Sequence, residues 1–227
     1  MSKERVLVIA AHPDDEVLGC GGSIARHVAD GDEVQVAIMA QGLFSRGTPE
    51  EAEQQALRDA CAEANRILGV QSLECFDLPD NRLDSLDLLD LVKPVEALIA
   101  RHRPGIVYAH WSGDVNIDHR RLHEAVVTAC RPQPGHPVHT LLFFEIPSST
   151  EWQVPHSAPA FWPGWFNDIG STLDTKLRAL DAYAMEMREW PHPRSLKAVE
   201  HLARWRGACV GMEAAEAFVL GRHLNRH

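Results

Sequence analysis

Residues 6–22 read "VLVIAAHPDDEVLGCGG". An apolar, partly β-branched run ends in His-Pro-Asp-Asp-Glu, and glycines follow within a few positions. The continuous rather than alternating apolarity of Arg5–Ala11 predicts a strand buried on both faces, as in a parallel sheet. Glu16–Ala29 is expected to be helical in spite of Gly19, Gly21 and Gly22, which let a helix lie close against a sheet. Two adjacent carboxylates repel, and neither gains from burial unless a positive charge sits between them. A histidine and three acids where a buried strand ends therefore point to a metal ion.

The pattern continues outward from this stretch. Glu33–Ala40 predicts a second strand, and "TPEEAEQQALRDACAEANRILG" a helix with Thr48 at the N-cap. Pro49 takes the first helical position there, Glu51 closes a capping box and Gly69 marks the end. Ser72–Phe76, Gly105–Trp111 and His139–Ile146 read as further strands. Asp87–His102, kinked at Pro94, and Asp118–Cys130 read as further helices. Strands alternating with helices of this length imply right-handed βαβ units and a parallel sheet. Residues 147–170 lack periodicity and read as a long surface loop. Its Trp152, Trp162 and Trp165 either stack on a bound ring or join subunits. Two helices, Asp174–Glu189 and Ser195–Arg206, and a short apolar "AEAFVLG" close the chain.

The 227 residues are 45% hydrophobic, enough for one sizeable core, and a single domain over 1–227 is expected. A net charge of −10 argues against nucleic acid as a partner. The cysteines are scattered without a C-x-x-C pair, as in a reduced cytosolic protein. The N-terminal apolar run is too short for a signal sequence or membrane span, so the cytoplasm is the expected location.

In open parallel sheets ligands bind at the carboxyl ends of strands. His12, Asp14, Asp15 and Glu16 follow strand one, "DLPDNRLD" follows strand three, and "HWSGDVNIDHRRLH" follows strand four. His12 and Asp15, three apart across a strand-to-helix turn, can face one point. A third ligand from another loop would complete a catalytic zinc site, and His119 is the best candidate. Iron(II) suits the same donors. Asp14 fits the general base. Acids at a helix start also serve as caps, but a second His-rich loop at another strand end favours the metal. His123 is expected to pack or support rather than ligate. His110 orients substrate, stabilises an oxyanion, or is a hydrogen-bonded core histidine. Arg82, beside Asn81, holds substrate hydroxyls or phosphate, or pairs with Asp80 and Asp84. His192 reaches the pocket or belongs to an ordinary turn.

"AHPDDE" after a first strand, together with "GDVNIDHRRLHEAV", resembles the PIG-L/LmbE-type deacetylases. "PDNRLD", "CRPQP", "SSTEW" and "HPRS…RG…AEAF" extend the likeness over nearly the whole chain. It implies an α/β, Rossmann-like three-layer sandwich with a mostly parallel sheet, and zinc-dependent hydrolysis of an N-acetylated amino sugar. It also implies His12, Asp15 and His119 as metal ligands, Asp14 as base, and an assembly of identical copies. The chain departs from well-known members at Asn116, where they carry a histidine. An amide can donate a hydrogen bond to an oxyanion but cannot deliver a proton near neutral pH, so the acid role passes to Asp14, His110 or His192. Asn81, Arg82 and His192 remain candidates for substrate contact. Alternative readings are an amidase of a thiol-sugar conjugate, a deformylase of formamido sugars, or a sugar-binding protein without turnover. A dinucleotide site is excluded, because G-x-G-x-x-G is lacking and the acids would repel a pyrophosphate.

Overall fold

The computed structural model describes residues 3–43, 47 and 50–225. Its elements are β1 (Arg5–Ala10), α1 (Asp15–Ala29), β2 (Glu33–Ala40), α2 (Glu51–Leu68), β3 (Ser72–Leu78), α3 (Leu88–His102) and β4 (Ile106–His110). There follow α4 (Ile117–Ala129), β5 (Thr140–Phe144), β6 (Trp165–Asp168), α5 (Leu173–Ala182), α6 (Leu196–Ala208) and β7 (Ala215–His223). Among the described residues a 7-stranded sheet runs in the order β3-β2-β1-β4-β5-β7-β6. Strands β1 to β5 are parallel, while β7 runs antiparallel to β5 and β6 antiparallel to β7.

Alternate residues of β1 face opposite layers, as the period of a strand requires. Val6, Val8 and Ala10 join side chains of α1, α2 and α5. Leu7, Ile9 and Ala11 join those of α3 and α4. This is the α/β sandwich expected from the sequence. The strand order reverses at β1, which pairs with β2 on one side and β4 on the other. Such a switch point opens a crevice at the strands' carboxyl ends, where the acid-rich turn after β1 and the histidine-rich loop after β4 meet.

Helix α1 lies close to the sheet because it lacks side chains where they would collide. A Cβ at Gly19 would sit 2.5 Å from the Phe144 ring. The helix also breaks at Cys20 (φ −150°, ψ 23°). The groups freed by the break are satisfied by a buried ion pair. Glu216 of β7 accepts from the N–H groups of Gly22 and Ser23 at 2.9 and 2.7 Å. Lys176 of α5 donates to Glu216 at 2.5 Å and to the Leu18 carbonyl at 2.9 Å. One pair thus caps both halves of the broken helix.

Several expectations need correction. Thr48 and Pro49 lie outside the described residues, and the capping box of α2 is formed by Glu50 and Glu53 instead of closing at Glu51. Helix α5 ends at Ala182, well before Glu189. The segment expected as a loop through Gly170 contains β6, and "AEAFVLG" is the start of β7, inserted between β5 and β6. No helix of the described residues is long and apolar enough to cross a membrane.

Candidate metal centre and active-site cleft

The turn after β1 is held in a conformation that side chains rarely adopt. Asp14, the N-cap of α1, has φ 102° and ψ −29°. Strain of this kind persists only when the surroundings impose it. Glu16 helps to impose it: its Oε2 accepts from the Asp14 N–H at 3.1 Å. Its Oε1 accepts from Asn65 Nδ2 at 3.0 Å and from the Tyr183 hydroxyl at 2.7 Å. Burial pushes the Glu16 carboxyl up to about 7, against the Tyr183 hydrogen bond.

His12, Asp15 and His119 present donor atoms within 4.8 Å of one another. Asp15 Oδ2 lies 3.2 Å from both His12 Nδ1 and His119 Nε2, and it accepts from the His12 N–H at 2.9 Å. Asp15 Oδ1 and both ring nitrogens of His119 are buried without a hydrogen bond among the described residues. Two nitrogens and a carboxylate turned toward one point, with polar atoms left over, fit a divalent cation better than a proton-bonded network. A second cluster, His12, Asp80 and Asp118, is also close. Both Asp118 oxygens are engaged there, with Oδ2 accepting from the Asn81 N–H at 2.7 Å and Oδ1 from the Leu83 N–H at 2.9 Å. That commitment favours the first set.

Each candidate histidine ligand is backed by a carboxylate on its other ring nitrogen, the arrangement that orients a ligating imidazole. His12 Nε2 lies 3.0 Å from Asp118 Oδ2, and His119 Nδ1 lies 3.1 Å from Asp114 Oδ1. Asp114 is itself fixed by the hydroxyls of Ser149 and Thr150 and by the Asn116 N–H. Burial opposes a charge on His12, but the hydrogen bonds to Asp118 and Asp15 outweigh it and carry the group up to about 10. Burial also opposes charge on His119, and Asp15 and Asp114 raise it to about 9. Burial works against the Asp15 carboxylate, and His119 overcomes it, holding Asp15 well below the usual range.

The centre opens into a cleft of about 290 Å³. Asp14 lines it, 2% exposed. Burial drives its carboxyl well above the usual range, and Arg194, whose Nη1 lies 2.7 Å from Asp14 Oδ2, pulls it back. Arg194 Nε also donates to Ser148 Oγ at 2.8 Å. Asn116 and Asn81 line the cleft, with Asn116 Nδ2 donating to Asn81 Oδ1 at 3.1 Å. Asn116 Oδ1 caps α4 by accepting from the Asp118 N–H. His192 also lines the cleft. Its Nδ1 accepts from the Arg194 N–H at 3.1 Å, so the neutral ring carries its hydrogen at Nε2.

Two sequence candidates do not reach the cleft. His110 is fully buried behind the ligands, stacked on His119 with ring centroids 3.9 Å apart. Its Nε2 accepts from the Ala11 N–H at 2.8 Å, and burial keeps it uncharged. Its Nδ1 is buried without a hydrogen bond among the described residues. Arg82 is exposed and does not line the cleft, because the left-handed turn at Asn81 (φ 53°) commits that loop's backbone to Asp118. His123 Nδ1 is bonded to the His110 carbonyl at 2.9 Å. Sequence reasoning passed over Arg194 and Asp114. Arg194 stands two residues after His192, in "HPRS", and Asp114 lies inside the motif that supplied His119; their partners emerge only in three dimensions.

A family model described as PIG-L, GlcNAc-PI de-N-acetylase, matches residues 7–130, more than half of the chain and both halves of the candidate metal centre. The chain belongs to the PIG-L family. It is 30% identical over 152 residues to the uncharacterized deacetylase YaiS of Escherichia coli K12, covering 65% of this chain and 76% of that one. It is 26% identical over 209 residues to a diacetylchitobiose deacetylase of Thermococcus kodakarensis, covering 82% and 71%. Among solved structures, the 4-carboxy-2-hydroxymuconate hydratase GalB of Pseudomonas putida KT2440 superposes with a TM-score of 0.79 at 22% identity, covering 99% and 98%. At that identity the likeness carries the fold alone, and the reaction has to be argued from the site.

Proposed function

We propose that the chain is a metal-dependent hydrolase that removes an N-acetyl group from an amino sugar or an amino-sugar conjugate. The observation that carries this reading is the strained, buried Asp14 carboxylate standing in the cleft next to the donors of His12, Asp15 and His119. Its PIG-L membership and deacetylase relatives give the same direction.

His12, Asp15 and His119 would hold a divalent cation, zinc or iron(II), which would supply a water of lowered pKa and polarise the acyl carbonyl. Asp14 takes the proton of the attacking water; its ion pair with Arg194 opposes the loss of charge that burial favours. Asn116 offers its second amide hydrogen to the developing oxyanion, since its first is used on Asn81. His192 Nε2–H, on the cleft wall, serves as hydrogen-bond donor toward the leaving nitrogen. The C–N bond breaks as the leaving nitrogen takes up the proton held by Asp14, giving acetate and a free primary amine.

The test is release of primary amine and acetate from N-acetylglucosamine in free, nucleotide-linked, lipid-linked and thiol-linked forms, with and without a chelator. Equal amounts of both products, abolished by the chelator, are expected for one of these forms. Protein holding one equivalent of metal that releases neither product from any of them would contradict the reading.

A further inference from the structure

Helix α2 and strand β3 bring two free cysteines together, Cys61 and Cys75. Strand β3 is the edge of the sheet beyond β2. Cys75 stands in register with Ile38 of β2, and successive side chains of a strand alternate between faces. Leu73, two residues earlier, packs against the cluster that holds Ile38 and Cys61, so Cys75 faces the α2 layer as well. There the Cys61 thiol donates to the Cys75 sulfur. The two differ in access: Cys61 is buried, and Cys75 is exposed at the sheet edge. They differ in chemistry too. The bond from Cys61 holds the Cys75 thiol below its usual range, whereas the same bond and burial push Cys61 well above it. An accessible thiolate attacks oxidants, and a neighbouring thiol within reach resolves the product.

The buried thiol is also joined to the turn that carries Asp14. Asn65 Nδ2 lies 3.8 Å from Cys61 Sγ and donates to the Cys61 carbonyl at 2.9 Å, and the Tyr183 hydroxyl hydrogen-bonds with the same sulfur. Both groups donate to Glu16 Oε1, at 3.0 and 2.7 Å, while Glu16 Oε2 accepts from the Asp14 N–H. Cys61 therefore stands one contact behind the carboxylate that imposes the Asp14 backbone conformation. A sulfur drawn toward β3 deprives Asn65 and Tyr183 of that neighbour, and a buried polar network responds as a unit.

We propose that Cys61 and Cys75 are a peroxide-oxidised pair whose disulfide ties α2 to β3 and loosens the hold of Glu16 on the Asp14 turn. The Cys75 thiolate attacks one oxygen of hydrogen peroxide, the O–O bond breaks, and hydroxide leaves with a sulfenic acid on Cys75. Cys61 gives its proton to that hydroxide and attacks the sulfenic sulfur; the S–O bond breaks as the S–S bond forms, and a second hydroxide leaves. The peroxide takes up the two electrons. The effect on turnover rests on the deacetylase reading above; the disulfide itself does not.

The experiment treats reduced, zinc-loaded protein with a few equivalents of hydrogen peroxide and follows it by peptide mapping, hydrogen exchange and turnover. Wild type is expected to lose two thiols into a mapped Cys61–Cys75 bond and to exchange the Asp14 amide hydrogen faster. Its kcat/KM for a responsive N-acetylated sugar should drop about tenfold, since small misplacements of a catalytic group are costly. Dithiothreitol reverses all three changes. Cys75→Ser keeps wild-type turnover and does not respond to peroxide, and Cys61→Ser stops at a sulfenic acid on Cys75 that dimedone traps. Oxidation that leaves the two sulfurs unbonded, or that slows Cys75→Ser equally, overturns the inference. So does a mapped disulfide with unchanged exchange at Asp14. A disulfide with faster exchange, in protein that hydrolyses none of the sugars, upholds the inference and counts against the deacetylase reading alone.

Discussion

The Asp14 carboxylate and the Arg194 guanidinium lie 2.7 Å apart, although 180 positions separate them in sequence. Burial alone drives Asp14 toward its neutral form, and this contact is the principal influence opposing it. A general base must be ionised to act, so the pair contributes to the pH at which the site works. Arg194→Ala is expected to lower kcat/KM near neutral pH by about 10²-fold, within the range attributed to positioned proton transfer. The direction in pH follows from the sign: without the guanidinium the Asp14 pKa rises further, and the acid limb of the kcat/KM profile moves to higher pH. A profile that falls in height without moving would assign Arg194 a role in substrate contact instead.

Asp14→Asn separates metal binding from proton transfer. The amide keeps the shape of the side chain, and asparagine tolerates positive φ better than most residues. The variant should retain one equivalent of metal and lose roughly 10²–10⁴ in turnover. Turnover close to wild type, by protein of verified metal content, would remove Asp14 from the base role.

Metal removal should make stability depend on pH in a particular window. In the metal-free protein His12 and His119 are raised to about 10 and about 9 from an ordinary value of 6.5. Groups raised on folding contribute stability that is complete below their unfolded pKa and is lost as pH rises through the folded one. The metal-free melting temperature should therefore decline between about pH 6.5 and 10. Metal needs neutral imidazoles, so its affinity increases over the same interval. Calorimetry of both forms should show the gap between their melting temperatures widening as pH rises; a constant gap would contradict the assignment of these two histidines.

Asp114 and Asp118 test whether the carboxylates behind the ligands matter. Replacing either by asparagine leaves the packing nearly unchanged but weakens the acceptor facing His119 or His12. A 10–100-fold loss of metal affinity is expected in each case. Competition with a chelator of known affinity measures it, and wild-type affinity in both variants would argue for a different ligand set.

The legible part of the fold was the part whose local signals agree with its tertiary role. Strands β1 to β5 are short apolar runs separated by amphipathic helices, and both signals survive in isolation. β6 is four residues long, and β7 ends in polar residues at the sheet's antiparallel margin, where no crossover helix announces a strand. The metal-centre candidates could be read because they cluster at strand ends. Arg194 could not, since nothing near it in sequence indicates Asp14, and "WPHPRS" draws attention only to His192. His110 was ambiguous because only its bond to the Ala11 N–H shows which way it faces.

The glycines after β1 give a stability prediction from the same comparison. Their expected role, close approach of helix and sheet, is met at Gly19, where an added Cβ would fall 2.5 Å from the Phe144 ring. Gly19→Ala should destabilise by about 1–3 kcal/mol, the usual range for overpacking a dense core. Denaturant unfolding measures this, and an unchanged midpoint would mean that Phe144 can move aside without cost.

The most direct test of the central claim is a metal titration of the metal-free protein in the presence of a responsive N-acetylated sugar, following bound metal and released acetate together. Acetate release should rise in step with metal and level off at one equivalent, and Asp14→Asn should bind the same equivalent while releasing almost none. Acetate release by the metal-free protein, or one tightly bound equivalent that leaves the rate unchanged, would contradict a hydrolase built on His12, Asp15, His119 and Asp14.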